Sequence, residues 1–252
     1  MHVLLIDGFN LIRRIYEARP HDEDVFDPEV IISAAQSLNR ALRKHEPSHA
    51  CFVFDSYEST WRHDLYPEYK KNRKPTPASL LDAMPKFEEA FKKLGVNSFA
   101  LAHYEADDLI ATLAMALARK NENVTILSTD KNFLQLLDDR VKIYDHFNDR
   151  EYTAKWVIEK YGVRHDQLVD YWALTGDTTN NIKGVPKIGP KTAQKLITKY
   201  ETLETLLGNH PEDSTGKRIQ EYKQDAEDSR ELSQLKTNIK LGINLNQLRY
   251  VH

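Results

Sequence analysis

The sequence predicts an α/β fold with a mainly parallel central sheet, followed by a smaller helical region. Two observations point to the sheet. Short apolar runs at residues 2–6, 50–54, 96–101, 124–127 and 141–144 alternate with helix-like stretches, the pattern of successive strand–helix–strand units. The first run, His-Val-Leu-Leu-Ile, is continuously apolar, as expected of a strand buried on both faces. A third observation marks the helical region: strand patterns stop after about residue 161.

Taken in order, residues 2–6 form a strand ending at Asp7 and Gly8, and residues 10–17 a helix. Residues 20–28 are a polar loop with two prolines, and Pro28 opens a helix to about residue 44, since proline suits a first helical turn. Residues 50–54 form a second strand ending at Asp55. Residues 57–77 are polar, aromatic and basic without a clean period. A helix over 77–94 is closed by Gly95, and a third strand, 96–101, leads to Glu105. A helix over 109–120, a strand over 124–127 ending near Asp130, a short helix over 133–137 and a strand over 141–144 complete the first part. Residues 165–175, 190–200, 203–207 and 216–235 then read as helices. The expected division is therefore 1–161 and 162–252, without repeats or low-complexity tracts.

The 252 residues suffice for one large domain or a core with a smaller partner, and 40% are hydrophobic. A net charge of −3 does not announce a nucleic-acid binder, so the local distribution of charge matters more. The single cysteine, Cys51, excludes an internal disulfide and makes a structural zinc site improbable. No signal peptide is visible, and no apolar run approaches the roughly 20 residues of a membrane span. A cytoplasmic protein without a membrane partner is expected, and no exposed apolar stripe suggests more than a monomer.

Three strands end in an aspartate, Asp7, Asp55 and Asp130, and a fourth leads into Glu105, Asp107 and Asp108. Ligands of open parallel sheets sit outside the carboxyl ends of the strands, so these side chains should meet at one edge. One strand-end aspartate is ordinary turn chemistry, and acids in a first helical turn complement the macrodipole. Six carboxylates together are harder to explain without cations, and hard ions such as Mg²⁺ or Mn²⁺ prefer oxygen ligands. Two such ions roughly 3.5–4 Å apart can activate water and stabilise the leaving oxygen of a phosphodiester. No glycine-rich nucleotide-binding loop is present.

Two basic stretches suggest the substrate. Arg62, Lys70, Lys71, Arg73 and Lys74 are interleaved with Trp61, Tyr66 and Tyr69, a mixture suited to single-stranded nucleic acid or, less specifically, to a solvated loop. Lysines recur at 183, 187, 191, 195 and 199 around Gly184 and Gly189. Glycines near a helix start expose backbone N–H groups to phosphate, so a hairpin gripping duplex backbone fits, as does a plain turn.

Together these residues resemble the 5′-nuclease (flap endonuclease) superfamily. The ordered set is Ile6-Asp7-Gly8, Val53-Phe54-Asp55, Tyr69-Lys70 with Arg73, Tyr104-Glu105-Ala106-Asp107-Asp108, Ser128-Thr129-Asp130-Lys131, Gly176-Asp177 and Gly184-Val185-Pro186-Lys187-Ile188-Gly189. The chain is similar to the 5′→3′ exonuclease domain of bacterial DNA polymerase I and to stand-alone, exonuclease IX-type flap endonucleases. The resemblance implies a PIN-like α/β nuclease core with an arch at about 57–77. It also implies a helix-three-turn-helix (helix-hairpin-helix) region with its hairpin at about 184–192.

The implied substrate is DNA with a 5′ single-stranded flap, as in replication and repair. Asp7, Asp55, Glu105 and Asp107 would hold a first Mg²⁺, and Asp108, Asp130 and Asp177 a second. Lys70 and Arg73 match a basic pair near the scissile phosphate, and Arg14 a phosphate contact. Arg62, Tyr69, Lys187, Ile188, Gly189, Pro190, Lys191 and Thr192 would contact DNA. Backbone carbonyls of Leu174, Thr175, Lys183, Val185 and Ile188 would hold K⁺. Asn132 and Asn180 stand where the family usually has aspartate, which weakens the expected second ion. Lys187 stands where it usually has glycine, so that lysine is strained if φ is positive.

The leading expectation is a Mg²⁺-dependent flap endonuclease. The alternatives are a junction-binding protein with weak or no catalysis, because of Asn132 and Asn180, and an RNA-cutting nuclease of the compact carboxylate type.

Overall fold

The computed structural model describes residues 1–19, 25–56, 58–209 and 211–250. Strand β1 (His2–Asp7) leads into helices α1 (Gly8–Glu17) and α2 (Glu29–His45), then strand β2 (His49–Val53). Short helices α3 (Trp61–Leu65) and α4 (Ala78–Asp82) precede α5 (Met84–Lys93) and strand β3 (Asn97–Phe99). Helix α6 (Ala106–Ala118), strand β4 (Asn123–Leu127), a 3₁₀ segment (Lys131–Leu136) and strands β5 (Val141–Asp145) and β6 (Arg150–Tyr152) follow. The remaining helices are α7 (Ala154–Tyr161), α8 (Leu168–Thr175), α9 (Pro190–Tyr200), α10 (Leu203–Gly208), α11 (Ser214–Glu221) and α12 (Lys223–Ser233).

The six strands lie in the order β3-β2-β1-β4-β5-β6. Among the described strands of this sheet only β5 and β6 pair antiparallel, so the expected mainly parallel sheet is present. β1 sits between β2 and β4, and Val3, Leu4, Leu5 and Ile6 are fully buried. Its side chains alternate between two cores, as strand geometry requires. Val3 and Leu5 pack with α6, and Leu4 and Ile6 with α1, α2 and α5. Burial of each such side chain contributes about 1.5–3 kcal/mol. The α6 core continues through Leu168, Leu174, Ile188, Ile197 and Leu206. The helical region is therefore packed on the sheet.

Differences from the expected elements have local causes. The helix expected over 77–94 breaks at Ala83: Pro85 lacks an N–H and would clash with the carbonyl of Leu81. The helix expected over 216–235 divides at Tyr222, whose backbone leaves helical geometry at φ −108°, ψ 29°. β6 and α7 were not expected. The Asp145 carboxylate accepts from the amides of Phe147 and Asn148, turning the chain between β5 and β6. Thr153 caps α7, and Gly162 closes it at φ 72°. The loop expected over 20–28 falls largely outside the described residues, as does Tyr57.

Beyond α12 the chain returns to the sheet. The Lys236 amide donates to Asp108, Leu248 is buried, and the Tyr250 amide donates to the Ser48 carbonyl. Among the described residues no helix is long and apolar enough to cross a membrane.

Candidate active site

Because β1, β2 and β4 are parallel, their carboxyl ends share one edge of the sheet. Asp7 ends β1, Asp55 follows β2, Asp130 follows β4, and α6 starts beside them. Each acid also has a local task. Asp7 caps α1 by accepting from the Asn10 amide at 3.2 Å, and its second oxygen accepts from Ser128 Oγ at 2.7 Å. Asp130 caps the Lys131–Leu136 segment through the Asn132 amide at 2.8 Å. Asp55 reaches across to the start of α6 and accepts from the Ala106 amide at 2.7 Å. Asp7, Asp55, Asp107 and Asp130 line a cleft of about 190 Å³ with Asn132, Asn180, Lys70 and Arg73.

The acidic cluster at the start of α6 divides. Successive helical residues point about 100° apart, so Asp107 faces the cleft while Asp108 turns inward. Asp108 is fully buried and accepts from Arg62 Nη1 at 2.7 Å, Arg62 Nη2 at 2.9 Å, Trp61 Nε1 at 2.9 Å and the Lys236 amide at 2.9 Å. Glu105 accepts from Arg62 Nη1 at 3.0 Å, Tyr69 Oη at 3.1 Å and Lys70 Nζ at 2.5 Å. Asp108 is thus held away from the cleft, contrary to the expected second-ion ligand, and Glu105, expected at the first ion, does not line the cleft and has both oxygens on Arg62, Tyr69 and Lys70.

Arg62 and Tyr69 likewise differ from the expected DNA contacts. Arg62 is 2% exposed and also donates to the carbonyls of Leu232 and Gln234. Tyr69 is 4% exposed with its hydroxyl on Glu105. A buried charge is retained only where it is paired, and this pairing ties the basic segment to α6 and to the chain after α12.

The cleft acids are less compensated. Burial, then the neighbouring Asp55 and Asp130, pushes Asp7 up to about 7 against the hydrogen bonds from Ser128 and Asn10. Burial also raises Asp55, opposed by Lys70. Burial raises Asp107 well above the usual carboxylate range, and Asp130 and Asp7 add to it. Burial acts to raise Glu105 too, yet Lys70 and Arg62 outweigh it and hold that acid low. Among the described residues no group of three or more His, Cys, Asp or Glu side chains is placed to hold a metal ion by itself. The donors facing the cleft are oxygens, and the acids crowd each other in low dielectric. This fits Mg²⁺, which usually takes one or two carboxylates and completes its shell with water and substrate phosphate.

Lys70 and Arg73 line the cleft; Arg73 Nη2 donates to Asn180 Oδ1 at 2.5 Å and its Nε to the Thr179 carbonyl at 3.4 Å. Arg14 is exposed, with its guanidinium 5.0 Å from the Phe147 ring, and it is Arg13 that lines the cleft. Asp177 does not line it. That carboxylate caps the Thr178–Asn180 turn through the Thr179 amide at 2.9 Å and accepts from Asn180 Nδ2 at 2.5 Å.

The hairpin stands on a close crossing of two backbones. A Cβ on Gly176 would lie 2.6 Å from the Lys183 carbonyl oxygen, and one on Gly184 would lie 2.7 Å from that of Leu174. Both glycines have positive φ, 68° and 65°. The Leu174 carbonyl accepts from the Val185 amide at 2.8 Å and the Val185 carbonyl from the Ile188 amide at 3.1 Å. Lys187 sits at φ 64°, the left-handed region that disfavours a side chain. Gly189 caps α9 and Pro190 is its first residue. Lys183, Lys187, Lys191, Lys195 and Lys199 are all exposed.

Residues 2–162 match the family described as 5′-3′ exonuclease, N-terminal resolvase-like domain, and residues 163–252 match 5′-3′ exonuclease, C-terminal SAM fold. The chain belongs to the 5′-3′ exonuclease family. It is 39% identical to flap endonuclease Xni of Aliivibrio fischeri, covering 99% of this chain and 97% of that one. It is 40% identical to flap endonuclease Xni of Photobacterium profundum, covering 100% and 98%.

Among solved structures it resembles the bacteriophage T5 flap endonuclease in complex with DNA and metal ions. The TM-score there is 0.77 at 21% identity, covering 92% of this chain and 89% of that one. It also resembles the catalytic core of Rad2 in complex with DNA substrate, with a TM-score of 0.58 at 17% identity, covering 90% and 73%. At such identities these likenesses show the fold alone.

In this family member the sequence reading missed Phe9, Asn10 and Arg13, which line the cleft from α1. Their spacing is the available signal: positions 9, 10 and 13 share the helix face that follows a capping Asp7. Asn10 also pins the β4 end, accepting from the Thr129 amide at 3.1 Å.

Proposed function

We propose that this 5′-3′ exonuclease family member is a divalent-metal-dependent, structure-specific 5′-nuclease. Its substrate is duplex DNA bearing a 5′ single-stranded flap, cut near the junction. The family makes the chain a nuclease acting on DNA; the metal, the flap and the residue roles are the proposal. The observation behind it is the group of under-compensated carboxylates, Asp7, Asp55 and Asp107, facing a cleft walled by Lys70 and Arg73.

Asp7, Asp55, Asp107 and Asp130 are the residues that would hold Mg²⁺ or Mn²⁺. When bound, such an ion lowers the pKa of a coordinated water and stabilises charge on the leaving oxygen. The chain supplies the rest. Lys70 and Arg73 draw the scissile phosphate to the cleft and offset charge that builds on its oxygens. Glu105, held ionised by Arg62 and Lys70, and Tyr69 fix the Lys70 ammonium. Asn132 offers a neutral oxygen, the Asn180 oxygen is taken up by Arg73, and with Asp108 and Asp177 off the cleft a second ion has Asp130 as its main anionic donor.

The exposed lysines around Gly184–Thr192 and the start of α9 suit the phosphates of the downstream duplex without base readout. K⁺ held by the backbone carbonyls of Leu174, Thr175, Lys183, Val185 and Ile188 would keep the hairpin closed. We further propose a cytoplasmic monomer, with residues 1–161 forming the nuclease core and 162–252 the duplex-binding part.

The test is cleavage of a 5′-end-labelled flap duplex across a Mg²⁺ titration, beside the matched RNA flap. Metal-dependent release of a short DNA oligonucleotide is expected. Tight flap binding without cleavage at any Mg²⁺ or Mn²⁺ concentration would favour a junction-binding protein, to which the two amides in the cleft lend themselves. Preferential RNA cleavage would favour a ribonuclease.

A further inference from the structure

The turn after α8 does more than follow the helix. Its residues 178–181 are hydrogen-bonded to the basic segment 68–73 at several points. The Lys70 amide donates to the Asn180 carbonyl at 2.9 Å, Asn72 Nδ2 to the Thr178 carbonyl at 2.7 Å, and Asn181 Nδ2 to the Glu68 carbonyl at 2.6 Å. Asn180 is at the centre and is 4% exposed. Its side chain accepts from Arg73 Nη2 and donates to Asp177 Oδ2, both at 2.5 Å.

The chemistry of the neighbours fixes the amide's orientation. A guanidinium can only donate and an ionised carboxylate can only accept. The group between them must accept on one side and donate on the other. An amide does both. A carboxylate cannot donate, and would face Asp177 with like charge at hydrogen-bond distance. A hydrocarbon would leave Arg73 Nη2 and Asp177 Oδ2 without this partner, while Arg73 Nε keeps the Thr179 carbonyl at 3.4 Å and Asp177 Oδ1 the Thr179 amide at 2.9 Å. The same residue also accepts the Lys70 amide, and Lys70 holds a left-handed backbone at φ 57°. One buried side chain and its carbonyl therefore set both cleft cations.

We propose that Asn180 is a positioning residue, an amide bridge from Asp177 to Arg73 that fixes the Arg73 guanidinium and the Lys70 backbone at the cleft. Its role here is to place the two cations, rather than to stand as a lost metal ligand. The turn lies directly between α8 and the Gly184–Thr192 hairpin, so the duplex-facing part of the chain and the cleft cations share one rigid connection. The kinetic consequence rests on the proposed nuclease reading; the bridge itself does not.

The test combines two readouts on Asn180→Ala, Asn180→Asp, Arg73→Ala and the Asn180→Ala/Arg73→Ala double variant. Steady-state cleavage of a 5′-flap duplex at saturating Mg²⁺ gives kcat and KM. Asn180→Ala is expected to lower kcat about tenfold, as misplacement of a charge-stabilising group does, with KM within about twofold. In the Arg73→Ala background the same change should alter kcat by less than about twofold, because its effect passes through Arg73. Asn180→Asp should also lower kcat. Independently of catalysis, NMR of the Arg73 guanidinium should show slowed rotation in the wild type and free rotation in Asn180→Ala.

A full kcat loss on adding Asn180→Ala to Arg73→Ala would overturn the proposal. So would an Asn180→Asp enzyme as fast as wild type or faster, or a freely rotating Arg73 guanidinium in the wild type. A wild type that cuts no flap DNA would instead overturn the nuclease reading, and the NMR result would still decide the bridge.

Discussion

Replacing Arg62 separates a structural role from a DNA-binding one. Its guanidinium sits between two buried acids, Asp108 at 0% and Glu105 at 4% exposure, and donates to two backbone carbonyls as well. Arg62→Met keeps much of the volume but leaves Asp108 buried without its main partner. Removing one side of a buried ion pair costs about 3–5 kcal/mol. For a chain of this size that lowers Tm by roughly 6–20 °C. Urea unfolding monitored by tryptophan fluorescence and circular dichroism measures the loss. Adding Asp108→Leu should return about 2 kcal/mol, since an apolar pair tolerates the interior that a lone carboxylate does not. Flap-DNA affinity measured well below the unfolding transition should stay within about twofold, because Arg62 is hidden from substrate. A destabilisation under about 1 kcal/mol with a tenfold loss of DNA affinity would refute the reasoning and make Arg62 a DNA contact.

Three further outcomes are expected. Burial lowers His45 from 6.5 to about 4, with the charges of His2 and Lys44 adding to it. Its contribution to stability is therefore full above pH 6.5 and is lost as pH falls through 6.5 towards 4, by roughly 1–2 kcal/mol after discounting for the half-exposed ring. The fall between pH 7.5 and 4 should be smaller by that amount in His45→Leu, read by urea unfolding. Lys187→Gly should stabilise the fold by up to about 1 kcal/mol, since φ 64° suits glycine. It should also flatten the salt dependence of duplex binding by about one counterion, measured by fluorescence anisotropy across a salt series. Mg²⁺ should stabilise the fold by relieving repulsion among the cleft acids, by up to about 2.7 kcal/mol at a hundredfold excess over Kd, and so raise Tm. The rise should be smaller in Asp107→Ala, as scanning calorimetry would show.

The parallel sheet was legible because β1 is buried on both faces and its run is apolar throughout. The meeting of Asp7, Asp55 and Asp130 followed from strand direction, since parallel strands present their carboxyl ends together. What could not be read is the division among Glu105, Asp107 and Asp108. Three acids in four residues look alike in sequence. Only the tertiary partner, Arg62 from a segment 43 and 46 positions away, assigns two of them to the interior. The same blindness placed Arg62 and Tyr69 on a DNA surface: a basic, aromatic segment has the composition of a binding loop whether or not it is folded under. Asp177 was legible as an acid near the site, but its capping of the Thr178–Asn180 turn and its bond to Asn180 depend on backbone geometry that spacing does not give. The breaks at Ala83 and Tyr222 differ in kind. Pro85 was a visible helix signal, whereas Tyr222 has no local marker.

The central claim is that adjacent acids on one helix do opposite work, Asp107 in the cleft chemistry and Asp108 in the interior ion pair. Single-turnover cleavage of a 5′-flap duplex, with Tm on the same samples, compared between Asp107→Ala and Asp108→Ala, tests it most directly. The account predicts that Asp107→Ala abolishes cleavage while Tm holds or rises, because an under-compensated buried acid is gone. It predicts that Asp108→Ala loses roughly 5 °C or more of Tm, having left the Arg62 guanidinium short of its partner. Cleavage at the wild-type rate by Asp107→Ala, or full stability with no cleavage in Asp108→Ala, would contradict it.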